Sequence, residues 1–188
     1  MDRRKKYTQM VLKKSLLALI KTKQIANITV KELCELADIN RSTYYAHYAN
    51  PYDLLYAIEE EFMEELVATL NQYNFSKEDE AMEMTIKLFE FLAEKSDICQ
   101  VLLSENSDMQ FQKKGMRITQ EYIFHHWITD KKLDPETYEY INLFLVSGCI
   151  YVIKNWLESG QNKTPREMAE FLYGFVNKGL SGVCGGEN

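Results

Sequence analysis

Five side chains between residues 41 and 47 carry the most suggestive chemistry in this chain: Arg41, Ser42, Thr43, Tyr45 and His47. All can donate or accept hydrogen bonds, and Arg41 can in addition present a planar fork of donors. They follow a three-residue turn, Asp38-Ile39-Asn40, and two tyrosines, Tyr44 and Tyr48, lie among them at a spacing of four. If the tyrosines face inward on a short helix, the five others form a row of polar groups that no core consumes. Such a row suits the base edges and phosphates of a DNA major groove, where a bidentate arginine–guanine contact gives about 1–3 kcal/mol of discrimination.

Two elements must position this row. Thr29-Val30-Lys31-Glu32 has the form of a capping box and starts a short helix ending near Ala37. A second short helix then begins after Asn40, so the pair reads as a helix-turn-helix whose small core is expected from Leu33, Leu36, Ala37, Ile39, Tyr44 and Tyr48. A longer helix should precede it, from about Arg3 to Lys23, with Tyr7, Leu12, Leu16, Leu19 and Ile20 inward and lysines outward. Another should start at Asn50-Pro51-Tyr52-Asp53, with Asn as cap and Pro in the first turn, and bury Leu54, Leu55, Ile58, Phe62 and Leu66.

The rest of the 188-residue chain also reads as helices, with sparse Gly (8) and Pro (3) and apolar residues at three-and-four spacing, so an all-α fold is expected. Ser76, Asp134-Pro135 and Thr164-Pro165-Arg166-Glu167 mark three further helix starts. The segment from Pro135 to about Ser159 is the most apolar, and Phe171, Leu172, Phe175 and Val176 extend a second apolar face. Charge is divided as well. Residues 1–50 carry ten Lys/Arg against four acids, a net of +6, and the total of −6 leaves −12 for the remainder. A basic head on an acidic body orients an approach to phosphates, although Lys5, Lys6, Lys13 and Lys14 would equally serve as a solvated face.

The run ITVKELCELADINRSTYYAHYANPYDLL resembles the DNA-binding signature of TetR-family regulators, and the later WLESGQNKTPREMAEFL is similar to the last two helices of many members. The resemblance implies an N-terminal three-helix DNA-binding domain, drawn at residues 1–50, and a helical dimerisation and effector-binding domain at 51–188. It implies that Tyr45 and His47 hold phosphates and that Thr43 contacts backbone or base. Arg41 and Ser42 would face base edges, and Thr29 would anchor a phosphate. One departure stands out: Pro51 occupies a position where the family often carries a phosphate-gripping lysine, which leaves Asn50 or the helix start to supply any contact there.

The expected partners are double-stranded DNA, through a palindromic operator, and a second copy of the chain as homodimer. The resemblance further implies a repressor released by a small molecule. Phe89, Leu92, Leu103, Met116, Tyr122, Trp127 and Phe144 could line its cavity or be plain core. A co-regulator working through a protein partner is the alternative. An enzyme is not expected: there is no glycine-rich phosphate loop, no His-x-x-x-His and no nucleophile with a recognisable setting. No cofactor or metal is expected either, since neighbouring His125 and His126 would point about 100° apart on a helix. Cys34, Cys99, Cys149 and Cys184 lie far apart, and neither Cys99 nor Cys149 has cationic neighbours in the sequence that would activate a redox thiol. With no signal-like leader and no run of about 20 apolar residues, the expected address is cytoplasmic, away from membranes.

Overall fold

The computed structural model describes residues 3–73, 78–119 and 134–184, and these are helical, with no strand among them. In chain order the helices are α1 (Arg3–Ile20), α2 (Val30–Ala37), α3 (Arg41–Tyr45), α4 (Pro51–Leu70), α5 (Glu78–Glu94), α6 (Ser96–Leu102), α7 (Met109–Thr119), α8 (Pro135–Glu158) and α9 (Pro165–Cys184), with a 3-10 turn at Ile25–Asn27. Ser76, Tyr122, Trp127 and the His125-His126 pair lie outside the described residues.

The chain divides into two compact units. One comprises the residues up to Glu64 together with Asp97–Phe111, and the other Glu65–Ser96 together with the described residues from Gln112 onward. α4 straddles this division, its first fourteen residues clustering with the first unit and its last six with the second. The reason is the α4 stripe itself: Leu54, Leu55, Ile58 and Phe62 are buried, and Phe62 meets Phe111 edge-on at 5.4 Å.

The head is closed by a segment distant in sequence. The Asn106 carbonyl accepts from the Ile25 amide at 2.9 Å, and its side-chain amide donates to the Ile20 carbonyl at 3.0 Å. Both groups would otherwise be unpaired ends of the α1 exit. Along α1, Leu12, Leu16 and Ile20 are buried as the periodicity predicts, but Tyr7 is exposed and Thr8 takes the inward position. Thr8 can be buried because its hydroxyl donates to the Arg4 carbonyl.

In the second unit α5 packs against α9, and Phe89 meets Trp156 of α8 edge-on at 5.3 Å. The α8 cap is as expected, with the Asp134 carboxylate accepting from the Thr137 amide at 2.9 Å and Pro135 in the first turn. Thr164 and Glu167 form a reciprocal capping box at the start of α9. Between them the chain reverses through Gly160 at φ +81° and Gln161 at φ +59°, while the Trp156 indole N–H donates to the Lys163 carbonyl. α8 is also long and apolar enough, by length and composition, to cross a membrane. Its Leu145 and Val146 pack with Val176, whereas Tyr140, Leu143, Phe144 and Tyr151 are exposed.

Candidate nucleic-acid interface

The helix-turn-helix is built from α2 and α3. Thr29 caps α2: its hydroxyl accepts from the Glu32 amide at 3.3 Å and donates to the Glu32 carboxylate at 2.8 Å, and the same carboxylate accepts from the Thr29 amide at 2.9 Å. Lys23 pairs with the other Glu32 oxygen. This hydrogen-bonded ion pair, followed by the Thr29 amide and hydroxyl, holds the Glu32 carboxyl down at about 2. α2 ends at Asp38, whose φ of 52° is left-handed, and the next amide, that of Ile39, reaches back to the Cys34 carbonyl at 3.0 Å. Asp tolerates that conformation better than most residues with a side chain, so the turn is made without a glycine.

Asn40 then caps α3, its side-chain oxygen accepting from both the amide and the hydroxyl of Ser42 at 3.0 Å. The core under the motif is Leu33, Cys34, Tyr44 and Tyr48. Leu36 was expected there, but it is 54% exposed, and Cys34 fills the inward position instead. In a helix of eight residues two adjacent inward positions suffice, and the orientation of α2 selects Leu33–Cys34. Ala37 and Ile39 are half-buried. Tyr44 is fully buried with its hydroxyl unpaired, and burial drives that phenol above its ordinary range.

Around this core the row emerges unevenly. Arg41, Ser42 and Tyr45 are exposed, and on a helix positions 41 and 45 share a face, with 42 flanking it. Tyr45 stands edge-on to Tyr44 at 5.7 Å, which fixes the ring against the core while leaving its hydroxyl outward-capable. Thr43 and His47 are half-buried, His47 lying at 6.1 Å from the Tyr48 ring. Thr29 is exposed, but its hydroxyl already serves the capping box in both directions. Among the described residues Arg41 makes no ion pair, whereas Lys13, Lys23 and Lys31 pair with Glu61, Glu32 and Glu35.

Beside the row, the entrance to α4 is locked rather than open. The Asn50 side-chain oxygen accepts from the Asp53 amide at 3.0 Å, and the Asp53 carboxylate accepts from the Ala49 amide at 2.9 Å. A carboxylate therefore stands one turn into the helix where a cation would favour phosphate. Asn40 as a cap and Asp53 as a lock were missed in the sequence reading. The signal for both was an Asx residue within one turn of its partner, two positions for Asn40 and Ser42 and four for Asp53 and Ala49.

The residues offered as an effector cavity do not share one setting. Phe89 and Leu92 are buried on α5, Leu103 belongs to the first unit, Met116 is half-buried beside Leu145 and Val146, and Phe144 is 69% exposed. Burial pushes the Cys99 thiol up to about 12 and the Cys149 thiol up to about 11, the reverse of redox activation.

A TetR-type family model described as "Transcriptional regulator C-terminal region" matches residues 79–178. No curated protein sequence matches the chain. Among solved structures, a TetR transcriptional regulator from Streptococcus agalactiae 2603V is similar at 22% identity and a TM-score of 0.69, covering 93% of this chain and 96% of that one. The transcriptional regulator FadR from Bacillus subtilis, solved in complex with stearoyl-CoA, is similar at 14% identity and a TM-score of 0.64, with 90% and 98% covered. The dihydroxyacetone kinase operon activator DhaS is similar at 14% identity and a TM-score of 0.59, with 93% and 96% covered. At these identities the structures speak for the fold, and the family model, which spans more than half of the sequence, carries membership: the chain belongs to the TetR family of transcriptional regulators.

Proposed function

We propose that this regulator binds a palindromic DNA operator as a homodimer and acts as a repressor that a small molecule releases. The observation that carries the DNA contact is the exposed row of Arg41, Ser42 and Tyr45, set on a short helix whose other face is buried through Tyr44. In this reading Arg41 reads a base edge. Tyr45 and the half-buried His47 hold phosphates, and Thr43 contacts the backbone. Thr29 contributes mainly by keeping the start of α2 in place, because its hydroxyl is committed to Glu32.

The dimer is proposed through α8 and α9. Tyr140, Leu143, Phe144 and Tyr151 on α8 and Phe171 and Phe175 on α9 are exposed, and three of them, Phe144, Phe171 and Phe175, line an apolar cleft of about 230 Å³. A face of this kind is costly in water and is characteristic of an association surface. Twofold symmetry of the protein then imposes half-site symmetry on the DNA. Release by a ligand draws on the family's common mode and on the stearoyl-CoA held by the Bacillus subtilis neighbour.

The test is a fluorescence-anisotropy titration against DNA from upstream of the coding region at two salt concentrations, with and without long-chain acyl-CoA. Tyr45→Ala is expected to weaken binding to all sequences and Arg41→Ala mainly to the preferred one, by about 1–3 kcal/mol. Absence of salt-sensitive binding by an intact dimer would move the assignment to the second reading, a co-regulator that acts through a protein partner. That reading is favoured by one feature, the Asp53 carboxylate at the entrance of α4.

A further inference from the structure

Beyond DNA and the body dimer, the head carries an unassigned groove of about 820 Å³ between α1 and α4. We propose that it is a second self-association surface, occupied by the same groove of another copy of this chain. One wall is basic: Lys6, Lys13 and Lys14 lie on α1 at helical spacing, with Met10 between them. The other is acidic, formed by Glu60, Glu61 and Glu64 of α4. The floor between them is apolar, and Met10 and Tyr56 remain 43% and 54% exposed there.

This arrangement selects its occupant by charge. Nucleic acid would meet the α4 carboxylates, and a partner of either single sign would be repelled by one wall. A twofold axis running along the groove places α1 of one copy over α4 of the other, so each basic wall faces an acidic one and the two floors meet. Lys13 and Glu61 already pair across the groove, so they stand at the same level along it. The rotation would bring two such pairs together as four alternating charges, an ion-pair network rather than an isolated bridge. Self-complementarity under a twofold is the defining property of an isologous interface. A dimer joined through its body would carry two such heads, so head-to-head contact gives a tetramer or a longer chain.

The experiment is sedimentation velocity on the full chain over a range of concentrations at low and high salt, with Lys14→Glu and Glu64→Lys alongside. Wild type is expected to form species beyond the dimer at low salt and to lose them at high salt. Each variant has two walls of more nearly the same sign, so either one alone should lose the larger species by about tenfold or more, and equimolar mixing of the two should restore them. A wild-type protein that stops at the dimer at every concentration would overturn the proposal and assign the groove to a different occupant, as would variants that associate like wild type. The body dimer is a separate readout: its persistence in both variants keeps failure here distinct from failure of the α8–α9 reading.

Discussion

α3 and α8 each present side chains that their own unit does not bury, and the two rows differ in kind. On α3 the exposed groups are Arg41, Ser42 and Tyr45, all able to hydrogen-bond, on a helix of five residues. On α8 they include Tyr140, Leu143, Phe144 and Tyr151, spread over a helix of 24 residues. A polar row costs little in water and gains only from a partner that reads geometry. An apolar row is unfavourable until it is covered, so it asks for area rather than for specific contacts. In the proposed reading, recognition of sequence and stability of assembly fall to opposite kinds of surface in one chain.

The largest effect that can be placed on this contrast is beneath α3. Tyr44→Ala should cost about 3–5 kcal/mol, because it empties the core that holds the polar row in position. Tyr44→Phe should leave stability unchanged or raise it, since the hydroxyl removed is buried without a partner. Thermal or urea unfolding of the two variants distinguishes packing from hydrogen bonding at this site. Next, Phe144→Glu should weaken the dimer by a factor of ten or more while leaving each protomer folded, because the side chain is exposed within the protomer. Light scattering together with circular dichroism checks both halves, and a dimer unaffected by the charge would remove α8 from the interface.

A smaller effect sharpens the comparison at the helix caps. Thr29→Ala should destabilise the head by about 1 kcal/mol through loss of the capping box. Glu32 contributes a pH dependence of definite sign. Its folded pKa is lowered from 4.5 to about 2, so the stabilisation is present above 4.5 and is lost as pH falls from there toward 2. In the body, the carboxyls of Asp134 and Glu167 are lowered by their own cap hydrogen bonds, in the same direction. Glu32→Gln should therefore flatten the acid transition of the head, followed by amide exchange in α2, while the body caps keep theirs.

Four of the caps were legible in the sequence as local pairs three positions apart, Thr29 with Glu32, Asn50 with Asp53, Asp134 with Thr137 and Thr164 with Glu167, whereas the Asn40 cap was not. Helix bounds followed from them, with α2 ending at Ala37 and α4 burying its expected stripe. What escaped was orientation. Periodicity alone could not choose between Leu36 and Cys34 on so short a helix, nor see that Thr8 would displace Tyr7 by satisfying its hydroxyl within its own turn. At the site, the polar row was legible by residue type, but its uneven exposure was not, because the depth of Thr43 and His47 depends on how Tyr44 and Tyr48 seat. Ser42 is drawn into the Asn40 cap by a hydrogen bond that its residue type does not reveal as occupied.

The Asn106 clasp sets an order on synthesis. The Ile20 carbonyl and the Ile25 amide wait for a residue more than 80 positions downstream, and Phe62 waits for Phe111. As the chain leaves the ribosome, α1 to α4 emerge first but lack their final brace until the segment up to Phe111 has followed. Contacts of such sequence separation slow folding relative to local ones. The nascent head should accordingly pass through an interval in which its helices are present and its far side is open, and a fragment cut after α4 would remain there.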